Sequence, residues 1–181
     1  TVLQTLGAGR IEIVAHDIGN MVAYAYAAQY GKDTGKLVVI DAPLPGIGPW
    51  EQILRNPLLW HFNFRGPDAE RLVAGRERIY LDRFWNEFSA DPAKFGEAAR
   101  AFYAARYAQP GGMRAGFAQF AAFAQDEIDN KRFAETKLAM PVLALGGEKS
   151  LGLTMAAVMR FAASAVTEGI VPNAGHWTKA G

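Results

Sequence analysis

Cysteine is absent from the 181 residues, which removes disulfides, thiol nucleophiles and thiolate metal sites together. Histidine is scarce, with three copies. His16, His61 and His176 lack the close HxxxH pairing of a zinc site, so neither a metal nor a cofactor is expected. Serine occurs only at Ser89, Ser150 and Ser164, none in a G-x-S-x-G setting, so a serine esterase or lipase reading fails. Neither sign of charge is in excess. The net charge is +1 with acids and bases interspersed, which leaves no electrostatic footprint for nucleic acid or an anionic membrane. No apolar run approaches the roughly 18 residues of a membrane span, and no basic segment followed by an apolar one marks a secretion signal. The missing signal decides little, because the chain opens at Thr1; a cytoplasmic location is the default expectation. What the chain does have is hydrophobic residues, half of the total, enough to bury the core of one ordinary domain.

Those residues are patterned. Thr1 to Leu6 reads as the end of a helix stopped by Gly7-Ala8-Gly9. Arg10 to Ala15 is short and rich in β-branched residues, hence a strand. Gly19 to Tyr30 is alanine-rich with strong helix propensity and ends at Gly31, and Leu37-Val38-Val39-Ile40 is a buried-strand run closed by Asp41. Strand, tight turn, helix, strand is a βαβ unit of a parallel sheet. Pro43, Pro45, Gly46, Gly48 and Pro49 then mark a junction. From Trp50 to Lys137 the pattern is helical. Leu72, Val73, Ile79, Tyr80 and Phe84 read as one face, Asp91-Pro92 as the start of a second helix, and Gly111-Gly112 as the break before a third centred on Phe117, Phe120 and Phe123. Strand signals return at Pro141 to Leu145 and at Val166 to Val171, with a helix over Leu153 to Ala163 between them. The division is thus an α/β core over 1–44, a helical insert over 45–138 and the rest of the core over 139–181.

One turn in this frame carries chemistry. Ala15-His16-Asp17-Ile18-Gly19 joins the first strand to its helix in the order small, any, acid, any, small. A nucleophile on a sharp strand-to-helix turn needs small neighbours, and the helix N-terminus favours an anion there. The N–H of Ile18 would face a developing oxyanion. On these five residues alone, an aspartate that merely caps the helix is the commoner occupant.

The stretch Val14 to Tyr24 resembles the nucleophile elbow of epoxide hydrolases and related dehalogenases, the branch of the α/β-hydrolase superfamily with an aspartate nucleophile. Val39 to Pro45 resembles the family's second-acid position, Trp60-His61-Phe62 its cap motif, and Gly175-His176-Trp177 the turn of its catalytic base. The resemblance runs through most of the chain, in order. It implies an α/β-hydrolase fold, here a partial parallel sheet lacking the N-terminal strands, with an inserted helical cap. It further implies that the chain is a piece of a longer protein, begun upstream of Thr1 by strands carrying a second oxyanion donor.

The chemistry so implied is a carboxylate, Asp17, attacking an sp³ carbon to form an alkyl-enzyme ester. His176 would activate the water that cleaves the ester, oriented by Asp41, with Glu148 as the rival acid. The sequence departs from the family twice. Ile18 replaces the Trp or Arg that dehalogenases commonly place after the nucleophile, and Phe120 falls where the cap tyrosine donor is expected. His61 could share or assume that donor's role, with Trp60 beside it and Tyr107 or Tyr103 as helpers; a histidine simply packed in the cap is the alternative. The expectation is an epoxide hydrolase acting on a small hydrophobic molecule and water. A haloalkane or haloacid dehalogenase of the same mechanism and a non-catalytic binding protein on this scaffold remain open, as does a homodimer.

Overall fold

The computed structural model describes residues 2–178. After a short helix α1 (Val2–Thr5), the chain forms β1 (Ile11–His16), α2 (Ile18–Gln29) and β2 (Thr34–Ile40). Five helices follow: α3 (Trp50–Leu54), α4 (Pro67–Val73), α5 (Glu77–Phe88), α6 (Glu97–Tyr107) and α7 (Gly112–Phe133), with 3-10 turns at Pro57–Phe62 and Pro92–Lys94. The chain closes with β3 (Val142–Gly147), α8 (Thr154–Ala162) and β4 (Val166–Val171). Thr1 and residues 179–181, on which the ends of the first and last sequence readings fall, lie outside the described residues.

The four strands make one parallel sheet in the order β1-β2-β3-β4. Its register pairs Val39 with Ala15 on one side and Ala144 on the other, and Leu145 with Gly169. Strand ends are thereby level, so the loops after β1, β2, β3 and β4 emerge along one edge, where ligands of open α/β sheets bind. Inner-strand side chains Leu37, Val39, Val142 and Ala144 share a core with Tyr24 and Ala27 of α2 and Met155 and Met159 of α8. Tyr24, Leu37, Met155 and Met159 are fully buried, and burial of a Leu or Met side chain stabilises the fold by about 1.5–3 kcal/mol. The covered face is the one that Leu37, Val39, Val142 and Ala144 present to α2 and α8, while Val38, Leu143 and Leu145 on the other face are half-buried.

The inserted helices have a core of their own, in which Val73, Tyr80, Leu81, Trp85, Met113 and Phe117 meet. Phe62 and Phe123 belong to the sheet's core instead, and Phe120 packs against both, so the two cores are continuous through this aromatic group. Two readings of this region need correction. The face drawn through Leu72, Val73, Ile79, Tyr80 and Phe84 is broken: the chain leaves the helix at Ala74 and turns at Gly75, φ +74°, before α5 begins. The break resets the rotation, leaving Leu72 and Ile79 63% and 72% exposed while Val73 and Tyr80 stay buried. Asp91 and Pro92 start only one 3-10 turn, capped by the Asp91 carboxylate on the Ala93 N–H at 3.0 Å. Phe95 is not helical there, and α6 starts after Gly96.

Candidate active site

Asp17 is the residue between β1 and α2, and its backbone is strained. Its φ of 56° and ψ of −131° lie where a non-glycine residue costs on the order of 1–3 kcal/mol. Its carboxylate makes no capping bond to α2, so the ordinary use of an aspartate at this position is not the one made of it. The side chain is 44% exposed and opens into a cavity. The turn is stitched down by Asn20, which is fully buried. Its Nδ2 donates to the carbonyls of Ile40 and Ala42 at 2.9 and 3.1 Å, and its Oδ1 accepts from the Ile40 N–H at 3.1 Å. Asn20 thus binds the elbow to the end of β2, where Asp41 lies.

Asp41, also at positive φ (48°), is 1% exposed. A buried carboxylate survives only with its lone pairs satisfied. Oδ1 accepts from the N–H groups of Gly147 and Leu151 at 2.8 and 3.2 Å, and Oδ2 from the Ser150 hydroxyl at 2.7 Å. Oδ2 also lies 3.0 Å from His176 Nδ1, and the Asp41 carbonyl 2.9 Å from the same nitrogen. Two acceptors on Nδ1 place a proton there and turn Nε2 toward Asp17, whose Oδ1 is 3.8 Å away. That is ion-pair reach, longer than an ordinary hydrogen bond. The structure therefore brings Asp17, Asp41 and His176 together. Glu148, the rival acid, is exposed and accepts from the Asn173 N–H at 2.7 Å.

Burial opposes charge at all three groups, and their mutual attraction wins. It would raise both aspartates, but hydrogen bonds and the charge of His176, joined by the Ser150 and Gly147 bonds at Asp41, hold both carboxyls below the usual range. Burial would lower His176, but the two carboxylates push it up to about 9. The turn carrying His176 is held from two sides. His16 Nε2–H donates to the His176 carbonyl at 2.8 Å, and the His176 N–H donates to Phe88 at the end of α5 at 2.8 Å. The second contact requires Gly175, since a Cβ there would lie 2.5 Å from the Phe88 oxygen and 2.6 Å from the Ala90 nitrogen.

Two cavities meet at Asp17. One of about 110 Å³ is bounded by Asp17, Asp41, His61, Phe120, Ser150 and His176. The other, about 480 Å³, is lined by Asp17, Ile18 and mostly aromatic cap residues, among them Trp85, Tyr103, Tyr107, Phe117 and Phe120. His61 is 5% exposed and faces the small cavity. Burial, then the neighbouring Arg83, lowers its pKa to about 4. Phe120 sits 5.3 Å from the His61 ring. Tyr107 and Tyr103 line the larger cavity and not the one around His61. Trp60 lines neither: it is 43% exposed and supports the Arg83 guanidinium, 4.6 Å above its ring. Its expected contact with substrate is replaced by a supporting one, because the 3-10 turn points adjacent side chains in different directions. Asn20, Ser150, His16 and Arg83 were not singled out as site residues in the sequence. Ser150 alone had a legible signal, standing just after the glycines that end β3.

The chain belongs to the α/β hydrolase fold family, whose pattern matches residues 1–179. It is 30% identical over 180 residues to the soluble epoxide hydrolase of Corynebacterium sp. (strain C12), with 95% of this chain and 62% of the relative covered. Among solved structures it resembles Cfl2 from Burkholderia cenocepacia, with a TM-score of 0.86 and 30% identity over 99% of this chain and 63% of the other. It also resembles the epoxide hydrolase CorEH, with a TM-score of 0.81 and 27% identity over 97% and 64%. The chain thus spans less than two thirds of the length of each of these relatives. Among the described residues no helix is long and apolar enough to cross a membrane.

Proposed function

We propose that the complete protein hydrolyses epoxides through an ester on Asp17. The observation that carries the reading is an uncapped carboxylate on a strained turn, facing a histidine whose other nitrogen is held by a buried acid. An aspartate is ionised at pH 7 and needs no base to attack. An Asp17 oxygen forms a bond to an epoxide carbon as the C–O bond of the ring breaks, and the electron pair stays on the ring oxygen. That oxygen takes its proton from His61 Nε2. With Asp17 esterified, His176 passes its Nε2 proton across the small cavity to restore His61. Water then adds to the Asp17 carbonyl and gives a proton to His176 Nε2. Collapse expels the alcohol oxygen, which recovers that proton, and Asp17 sheds the second water hydrogen to restore the His176 imidazolium. One epoxide and one water become one diol. The similarity to proteins named as epoxide hydrolases supports this substrate class over a carbon–halogen bond. The aromatic lining of the larger cavity favours an epoxide with an apolar, ring-bearing substituent.

Nucleophile and base act in different half-reactions, so their variants fail differently. In His176→Gln, attack proceeds and hydrolysis stalls, and one substrate mass is expected on the peptide containing Asp17. Asp17→Ala should give neither adduct nor diol. In the unmodified enzyme a single turnover in ¹⁸O-water should label Asp17. Label confined to the diol in that turnover would overturn the carboxylate mechanism, and halide release without epoxide turnover would move the reading to a dehalogenase.

A further inference from the structure

We propose that Arg83 is a positioning residue that fixes His61 as a neutral imidazole with its proton on Nε2, directed to the oxygen that leaves carbon; this rests on the epoxide reading of the site. Arg83 lies on α5 with a side chain 10% exposed. Its Nη1 is 3.2 Å from His61 Nδ1 and its Nη2 donates to the Leu58 carbonyl. Its Nε pairs with Glu87 at 3.1 Å, and its plane lies 4.6 Å over the Trp60 ring and 5.1 Å over that of Phe88. The guanidinium is therefore held by contacts from α5 and from the turn that carries His61.

A guanidinium has five donors and no acceptor, and it stays protonated. The nitrogen facing it must accept, so Nδ1 carries no proton and the ring hydrogen is on Nε2. Protonating Nδ1 would break the bond and set two cations 3.2 Å apart. The aromatic rings around His61, with Phe62 at 4.7 Å, Phe84 at 5.0 Å and Phe120 at 5.3 Å, hold its orientation. The charged and titratable groups facing it are Asp17, Asp41 and His176 across the small cavity and Arg83 on α5, with Glu87 behind Arg83. Asp17 and the Leu58 carbonyl would favour a charged ring; burial and Arg83 outweigh them.

A neutral imidazole is a weak acid. The cation on Nδ1 strengthens its N–H as a donor and stabilises the ring once the proton has passed to the alkoxide oxygen. Phe120 has no proton to offer, so this pair takes over the donor function for the small cavity. The arrangement also explains Trp60, whose exposed ring carries the guanidinium rather than the substrate.

The test is ¹⁵N NMR of the histidine rings in the full-length protein, with His61 assigned by His61→Gln. The wild-type signal should be that of a single tautomer, Nε2 protonated and Nδ1 bare, unchanged from pH 5.5 to 9. Arg83→Met should raise the His61 titration from about 4 toward, but not to, the ordinary histidine value, because burial remains, and slow ester formation by about 10²-fold, the scale of losing one aligned donor. Hydrolysis of the preformed ester should change less than about twofold, because His61 acts before it. Arg83→Lys, a charge without the fork, should fall between. A wild-type His61 that carries its proton on Nδ1 or titrates near 6.5 overturns the proposal, as does an unchanged spectrum and rate in Arg83→Met. If Arg83→Met does not fold, the wild-type spectrum and Arg83→Lys decide. Failure to trap any ester in His176→Gln would instead remove the Asp17 reading while leaving the tautomer result standing.

Discussion

Esterification of Asp17 should itself convert His176 from an acid into a base, and Asp17→Asn imitates that loss of charge without changing shape. In the resting site the imidazolium lies between two carboxylates and its pKa is pushed up to about 9. At the 3.8 Å separation of Asp17 and His176, two unit charges attract by about 4 kcal/mol at an effective dielectric of about 20. That equals about 3 pKa units. The Asp17 side chain is 44% exposed, so solvent screens part of this, and a shift of about 1–2 units is expected. Asp41, fully buried at 3.0 Å, still supports the charge. The His176 pKa should therefore fall from about 9 to roughly 7–8. An NMR titration of the ring in the two proteins measures the difference directly. A pKa unchanged in Asp17→Asn would mean that Asp41 alone holds the proton. The claim that alkylation prepares the base for the second half-reaction would then be refuted.

Two further outcomes concern stability. His176, raised from about 6.5 to about 9, stabilises the fold fully below pH 6.5 and loses that contribution as pH rises through 9. His61, lowered to about 4, does the reverse, costing stability as pH falls from 6.5 toward 4. Each limb is worth on the order of 3 kcal/mol, while the lowered aspartates act only in more acid solution. Thermal melts should therefore show an optimum near pH 6.5; His176→Gln should flatten the alkaline limb and His61→Gln the acid one. A stability still rising at pH 9 would contradict the assignment. Gly175→Ala places a methyl 2.5 Å from the Phe88 carbonyl. Denaturant unfolding should register about 1–3 kcal/mol of overpacking, and ester hydrolysis should slow about 10²-fold through misplacement of His176. A fully active Gly175→Ala would show that the base turn does not depend on this approach.

The inner strands were legible because buried parallel strands are written as apolar runs, as Leu37 to Ile40 and Val142 to Leu145 are. The outer strand Val166 to Val171 carries Thr167, Glu168 and Gly169 and is readable mainly by its β-branched residues. The convergence of residues 17, 41 and 176 followed from topology, since each comes after a strand in one level sheet. The cap was harder. A single backbone break at Gly75 disorders a periodicity that counts through it. The contacts within the site were hidden for another reason: Arg83 meets His61 across 22 residues and Ser150 meets Asp41 across 109. Such pairs have no local period, so only the folded chain displays them. In the sequence Ser150 is a serine outside any nucleophile motif, while in the fold its hydroxyl donates to Asp41 at 2.7 Å.

The turn bearing His176 hangs from the cap as well as from the sheet. Its N–H is bound to Phe88, and the Trp177 indole donates to the Phe84 carbonyl at 3.3 Å, both on α5. On the proposed function, swinging α5 away to admit a ligand would drag His176 off Asp17 and disengage the two half-reactions. This end of the cap is consequently a fixed abutment rather than a door. Traffic through the larger cavity is left to its other border, where Tyr103 and Tyr107 are 47% and 37% exposed. On the proposed function, changing the bulk of those two tyrosines should alter substrate exchange while leaving the alignment of Asp17 and His176 unchanged.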